Sequence, residues 1–234
     1  MDISETFVPD AERDLVLVQG VEPSLRWRTF SAAIVELAEA LGVRLVITLG
    51  ALLADVPHTV PVALTGFSSE PSLMARAGIS GRSTGRYEGP TGIVGVLHSA
   101  TSAAGLPSMS LWASVPHYVA AAPSPKAALA LVRALERVVG VTVDAEELEE
   151  ASAGYERQVG LAVAGNPEVQ AFVERLERDF ESDGEDEDGH GDDAEDGASQ
   201  PGWSLAPGEI PSGELLASEF QRFLRQRGES REGS

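Results

Sequence analysis

Two apolar runs that each end in Val-Pro-His constrain the fold of this chain most strongly. The first, VRLVITLGALLADVPH, extends from Val43 to His58, and the second, SLWASVPH, extends from Ser110 to His117. Short apolar runs bounded by glycine or proline are typical of buried strands. Each run therefore predicts a strand with a histidine just beyond its end, and open α/β sheets place their ligand crevices at such ends.

Strands alternate with helices along most of the chain. The apolar runs predict strands at Asp14–Gln19, Val43–Leu49, Val62–Phe67 and Pro107–Ala113. Helical spacing of apolar residues follows Ser31, Thr91, Ser124, Asp144 and Asn166. This alternation predicts an α/β fold with a three-layer, mostly parallel sheet, helices on both faces and a helical C-terminal portion.

Charge divides the chain into a folded part and a tail. The net charge is −20, and residues 181–196 hold ten carboxylates in 16 positions with one apolar residue, Ala194. Such a segment buries too little apolar surface to offset its chain entropy. We predict an α/β domain over 1–180, a disordered acidic linker over 181–208, and an amphipathic helix and tail over 209–234. That helix either packs back onto the domain or serves as a tethered docking helix.

Composition excludes several classes of protein. A surface this acidic repels phosphate backbones, which argues against nucleic-acid binding. No window approaches the ~18 consecutive apolar residues of a membrane span, and the N-terminal residues do not form a signal peptide. The chain has no cysteine, which fits a reducing cytoplasm. We predict a cytoplasmic protein without a metal or cofactor.

Asp55, His58 and His117 are the candidate acid/base residues. A histidine within hydrogen-bond reach of a carboxylate can move protons near neutral pH. The sequence offers no cysteine and no Gly-x-Ser-x-Gly elbow as a nucleophile. The alternative interpretation is that these residues satisfy loop backbone at a subunit interface.

A glycine-rich run, GPTGIVG, extends from Gly89 to Gly95 and opens a predicted helix. Unpaired N–H groups at a helix start favour an anion, which makes Gly89, Thr91 and Gly92 candidate ligands. The run matches neither a phosphate-binding P-loop nor a dinucleotide fingerprint, and a tight turn with close packing is the alternative.

Arginines and aromatic residues complete the set of candidates. Arg26 and Arg28 could bind phosphate or carboxylate with two parallel hydrogen bonds. Alternatively they anchor an interface in an oligomer together with Trp27, and on an acidic chain without a nucleophile we favour the interface. Trp27, Trp112 and Tyr118 are candidate interface anchors, because arginine and large aromatic residues are enriched at binding hot spots.

Five segments carry a resemblance to a known family. They are VQGVEPSLRWRTF, TLGALLADVPHT, RYEGPTGIVGVLH, SLWASVPHYV and SPKAALALVRALE, in this order along the chain. The chain resembles the PAC2 (proteasome assembly chaperone 2) family in its bacterial, actinobacterial-type branch, from about Asp14 to Phe180.

The resemblance implies a three-layer α/β fold similar to nucleoside phosphorylases, homo-oligomers, and protein partners that include proteasome subunits. It also implies two further strands and a helix before Asp14, so the chain is expected to be N-terminally short. The leading hypothesis is a non-catalytic protein that acts through protein contacts in a proteasome-assembly-like role. The alternative is a small-molecule enzyme or ligand-binding module of phosphorylase or hydrolase type.

Overall fold

The computed structural model describes residues 2–6, 14–79, 92–119 and 123–185. Its strands are β1 (Asp2–Thr6), β2 (Leu15–Gln19), β3 (Val46–Ala54), β4 (Leu64–Ser68) and β5 (Ser108–Pro116). Its helices are α1 (Trp27–Ala40), α2 (Pro71–Ala77), α3 (Ile93–Ala103), α4 (Pro125–Val139), α5 (Glu146–Ala164) and α6 (Pro167–Glu185), and a 3-10 turn spans His117–Val119.

The chain divides into two compact units. Unit 1 comprises Met1–Gly50, Leu64–Ala113 and Ala130–Ala145, and unit 2 comprises Ala51–Ala63, Ser114–Leu129 and Glu146–Ser234. The division falls inside β3, β5 and α4.

Local signals set the helix starts. The Ser124 hydroxyl accepts a hydrogen bond from the Ala127 N–H at 3.2 Å, and Pro125 is the first residue of α4. The Asn166 side-chain carbonyl accepts the Glu168 N–H at 3.0 Å, just before α6 begins. A polar cap followed by proline satisfies a free donor and presets the helical φ. Both predicted starts are confirmed.

The larger sheet is mixed, with the strand order β3-β5-β4. β4 pairs with β5 antiparallel, and β1 pairs with β2 antiparallel in a separate two-stranded sheet. β3 runs parallel to β5, because Val46 N–H bonds the Pro107 carbonyl and Thr48 bonds Ser110 further along both strands. The expected mostly parallel sheet is therefore wrong for the described strands. Helix–strand alternation does not fix strand direction, because a connecting helix can return the chain to either end of a neighbouring strand.

Gly50 lies inside β3, although the apolar pattern predicts the end of this strand at Leu49. A Cβ on Gly50 would lie 2.6 Å from the Trp112 ring on the neighbouring strand β5. Glycine in a strand often marks such a close approach rather than a strand end. Because the strand continues to Ala54, Asp55 directly follows its last residue.

Each unit has its own apolar core. In unit 1, residues of α2, β5 and α4 pack together with Ile79, which follows α2: Leu73, Met74, Ala77, Met109, Leu111, Ala134 and Val138. In unit 2, the 3-10 turn packs with α5 and α6: Tyr118, Val119, Tyr155, Val159, Val163, Val169, Phe172, Val173 and Leu176. Within the described ranges, no helix is long and apolar enough to cross a membrane.

Several expectations fall on residues outside the described ranges. They concern Gly89, Thr91, most of the acidic linker and all of 209–234. α6 extends to Glu185, five residues into the predicted linker.

Candidate functional site

The histidines lie where the sequence predicted, beyond the ends of two strands. β3 ends at Ala54 and leads into Asp55 and His58, while β5 ends at Pro116 and leads directly into His117 and Tyr118. All four of these residues belong to unit 2. Together with Lys126 of α4 they form a polar group that we call the Tyr118 cluster.

Tyr118 holds His58 at two atoms. The backbone nitrogen of His58 donates to the Tyr118 hydroxyl at 2.7 Å, and Nδ1 of the same histidine lies 2.9 Å from that oxygen. Since the oxygen already accepts the backbone N–H, its own proton can go to Nδ1. This assignment places the proton of the neutral imidazole on Nε2.

Burial sets the protonation of this pair. His58 is 6% exposed and Tyr118 is 3% exposed. Burial lowers the pKa of His58, with the nearby Lys126 charge adding to that effect and the Glu177 and Glu156 carboxylates opposing it. Burial also raises the pKa of Tyr118 strongly. Both groups are therefore neutral at pH 7.

Lys126 of α4 binds the turn formed by residues 58–60. Its ammonium donates to the carbonyls of His58 and Val60, at 2.7 Å each, and pairs with Glu156 of α5 at 2.5 Å. A lysine has three N–H donors, so every donor has an acceptor. Thr59, in the same turn, donates to Glu177 of α6 at 2.6 Å. Lys126 of α4 and Glu177 of α6 thus hold the 58–60 turn directly, and Glu156 of α5 holds Lys126.

Asp55 and His117 form the predicted carboxylate–histidine pair. His117 Nδ1 lies 2.7 Å from the Asp55 carboxylate, with the side chains 18% and 28% exposed. The His117 ring contacts the rings of Tyr118 and Phe172 edge to face. Both ring nitrogens are buried and make no well-aligned hydrogen bond among the described residues, so Asp55 and His117 are paired by proximity and not by a hydrogen bond.

The structure thus brings Asp55, His58 and His117 into one cluster around Tyr118, with His58 and His117 each in contact with Tyr118. Within the described ranges, no three His, Cys, Asp or Glu side chains group closely enough to hold a metal ion.

The candidate anion site at the start of α3 is occupied by the chain itself. Glu22 accepts the Ile93 N–H at 2.8 Å, and a Cβ on Gly92 would lie 3.6 Å from the same carboxylate oxygen. A carboxylate at a helix N-terminus satisfies a free donor and interacts favourably with the helix dipole. The Glu22 carboxylate therefore lies where the sequence predicted a bound anion near Gly92. Sequence reasoning missed this role, because Glu22 is far from α3 along the chain.

The remaining candidates of unit 1 have local contacts. Arg26 and Arg28 are exposed at the start of α1. The half-buried Trp27 donates its indole N–H to the Pro23 carbonyl. Trp112 packs its ring on Gly50 and donates to the Ser110 hydroxyl at 2.9 Å.

Two residues of the Tyr118 cluster have roles that the sequence did not predict. Tyr118 was expected at an interface but is a core residue of unit 2, because its ring packs between histidines and Phe172. Lys126 was not proposed at all. Its signal was present, since it is the single lysine in a chain whose other basic residues are arginine or histidine.

Comparison with known proteins agrees with this fold. The PAC2 family model matches residues 2–162. A proteasome-assembly chaperone homologue from Mycobacterium tuberculosis is 42% identical with a TM-score of 0.65, over 73% of this chain and 71% of that one. A PAC2 family protein from Streptomyces avermitilis is 44% identical with a TM-score of 0.63, over 73% and 70%.

A more distant structure shares the fold alone. It is an archaeal proteasome activator from Pyrococcus furiosus, 19% identical with a TM-score of 0.54, over 67% of this chain and 68% of that one. A search among curated proteins returned no match. Since the family model covers more than half of the chain and two structures exceed 40% identity, the chain belongs to the PAC2 family.

Proposed function

We propose that the protein acts without catalysis, through contacts with other proteins, in a proteasome-assembly-chaperone-like role. The observation that carries the proposal is the 42% identity to a protein described as a proteasome-assembly chaperone homologue. Fold alone would not carry it, because one fold can serve many functions. A cytoplasmic location, a homo-oligomeric state and the three-layer, phosphorylase-like arrangement are parts of this proposal.

The Tyr118 cluster supports a structural role for the polar residues. His58 uses its backbone N–H, its carbonyl and Nδ1 in contacts with Tyr118 and Lys126. Lys126 has no donor left for a substrate. A catalytic group needs an atom that reaches the reacting substrate, whereas these atoms already hold the turn together.

The direct test uses recombinant proteasome α and β subunits from the same organism. Native gel electrophoresis and mass photometry follow the formation of α-rings and complete particles with and without an equimolar amount of the protein. We expect faster ring formation or a higher yield of complete particles, and a stable complex with α subunits. Serum albumin, another acidic protein, serves as the control. Unchanged assembly together with no complex would refute the proposal.

A ligand-binding module is the second candidate, favoured by the Asp55–His117 pair. Both ring nitrogens of His117 are buried without a hydrogen bond among the described residues, although Nδ1 lies close to Asp55, and such buried polar atoms are uncommon. Thermal shift measurements with phosphate, nucleosides and nucleotides test this candidate, because a ligand of the native state raises its melting temperature. A shift that disappears in Asp55→Asn would favour it over the chaperone-like role.

A further inference from the structure

Two nitrogen-bearing side chains of unit 2 lie against the ring of Phe172. The His117 ring contacts it edge to face, with the ring centroids 5.5 Å apart, and the guanidinium carbon of Arg175 lies 5.4 Å from its centroid. His117 and Arg175 are therefore no further apart than the sum of these two distances. We call these three residues the Phe172 group.

Arg175 has no ion pair, although the chain is rich in carboxylates. The sequence holds 37 acidic against 17 basic side chains, and Asp179 lies four residues further along α6, the spacing at which arginine and aspartate pair on a helix. Among the described residues, Arg175 pairs neither with Asp179 nor with another carboxylate. Its side chain turns the other way, over Phe172, and its Nε is buried without a hydrogen bond there.

A ring face does not use the hydrogen-bonding capacity of a guanidinium. The attraction of a cation to an aromatic ring is electrostatic and forms no hydrogen bond with the N–H groups. Arginine has five such donors in a planar fork that matches the oxygens of a carboxylate or a phosphate. The donors of Arg175 are therefore available to an anion that the described part of the chain does not supply.

His117 adds a second unpartnered group on the same ring. Its Nδ1 lies 2.7 Å from the Asp55 carboxylate, so Asp55 occupies that side of the imidazole. Nε2 lies on the far side of the ring from Nδ1 and has no hydrogen bond among the described residues. An imidazole nitrogen can donate a hydrogen bond to an oxyanion or accept one from a hydroxyl. Asp55 thus leaves Nε2 as the atom that can meet a ligand.

We propose that Arg175 and His117 bind the oxyanion group of a small molecule, a carboxylate or a phosphate. The inference rests on the ligand-binding module, the second candidate function, and it names the ligand chemistry and a residue for that module. Arg175 binds two oxygens of the group with parallel hydrogen bonds, and His117 Nε2 binds a third polar atom. Both side chains are half-buried, so the ligand enters from the surface as Arg175 turns away from Phe172.

The experiment titrates the full chain with inorganic phosphate and, separately, with acetate, at neutral pH and constant ionic strength. The chain has only four histidines, so the imidazole signals can be assigned by NMR. We expect the His117 signals to shift and saturate with at least one of the two anions, while those of His98 in unit 1 stay in place. The anion that saturates at the lower concentration identifies the group as phosphate or carboxylate.

Variants on α6 test the role of Arg175. Arg175→Gln should weaken binding about 10-fold or more, because hydrogen bonds to charged groups are the stronger ones. Arg178→Gln is the matched control, since Arg178 is exposed on the same helix and loses the same charge, and it should keep the wild-type affinity. Arg175→Lys keeps the charge without the planar fork and should also bind more weakly. Circular dichroism and the melting temperature check that each variant is folded.

The outcomes separate this inference from the functions proposed above. Unmoved His117 signals with both anions at millimolar concentration would refute it, as would wild-type affinity in Arg175→Gln. A thermal shift with a nucleoside that persists in Arg175→Gln would refute the role of Arg175 and leave the ligand-binding module standing. The proteasome assembly assay tests the chaperone-like role independently.

Discussion

The hydroxyl of Tyr118 lies 2.7 Å from the backbone nitrogen of His58 and 2.9 Å from its Nδ1. One oxygen thus satisfies two groups of a buried histidine, and it joins the end of β5 to the turn that follows β3.

Tyr118→Phe removes the oxygen and leaves two polar atoms of His58 buried without a partner. We expect the free energy of unfolding to fall by about 1–3 kcal/mol, the cost of an unsatisfied buried group. Urea unfolding measures this change. Ser182→Ala is the control, since it removes an exposed hydroxyl that bonds the Asp179 carbonyl, and it should stay within about 0.5 kcal/mol of the wild type. Equal losses in both variants would contradict the role of Tyr118.

His58 makes stability depend on pH. Its pKa lies below the ordinary value of 6.5 because of burial, so the unfolded chain binds its proton first as the pH falls. Its contribution is therefore constant above about pH 6.5 and lost progressively below that value. Unfolding at a series of pH values, with His58→Gln as the reference, isolates this contribution from that of the carboxylates. Parallel curves for the two proteins between pH 7 and 5 would show that His58 is not the titrating group.

Lys126→Met removes the donor of two main-chain carbonyls in the 58–60 turn. We expect a loss of about 2–3 kcal/mol, because hydrogen bonds to charged groups are the stronger ones. Glu156→Gln should cost less than about 1 kcal/mol, since Glu156 is 44% exposed and exposed ion pairs contribute little. Lys126→Arg should not restore stability, because a planar guanidinium does not reproduce the compact ammonium. Calorimetric melting of the three variants ranks their losses of stability. Wild-type stability in Lys126→Arg would contradict the prediction.

Glu22→Ala removes the carboxylate at the start of α3. We expect a loss of about 1 kcal/mol, similar to the loss of a helix cap, together with faster hydrogen exchange at the Ile93 amide. Glu36→Ala, an exposed change on α1, is the control. Unaltered exchange at Ile93 in Glu22→Ala would indicate that the contact does not protect that amide.

The same substitution should have opposite effects at two glycines. A Cβ on Gly66 would lie 2.0 Å from the Ser110 carbonyl oxygen, whereas a Cβ on Gly160 would lie 3.9 Å from His58 Nε2. Gly66→Ala should therefore destabilise by about 1–3 kcal/mol through overpacking. Gly160→Ala should stabilise by about 0.5–1 kcal/mol, because alanine is favoured inside a helix. The urea midpoint of each variant, compared with that of the wild type, shows whether the substitution stabilises or destabilises the protein.

Periodicity and local caps predicted much of the fold. The apolar runs located β2, β4 and β5 within a few residues, and the caps at Ser124 and Asn166 gave the starts of two helices. These features depend on neighbouring residues, so they are readable in sequence. Strand direction in the sheet and the continuation of β3 through Gly50 depend on residues distant in sequence, such as Trp112, and were missed.

The candidate site was predicted in composition but not in arrangement. Strand ends placed Asp55, His58 and His117 in one region, and the structure joins them there. The tyrosine between them was assigned to an interface because large aromatic residues suit interfaces and cores equally. Glu156 and Glu177 carry no local signal, since a glutamate on a helix is ordinarily solvated, and only tertiary packing brings these two to the 58–60 turn.

The complete use of the Lys126 donors has a consequence for chemical reactivity. The chain has one side-chain amine, and in the folded protein that amine is bound to two carbonyls and a carboxylate. Acylating reagents need a free, unprotonated amine, so reaction at Lys126 must wait for the turn to open. The rate at which this single lysine is acylated therefore measures how often the 58–60 turn leaves its native conformation.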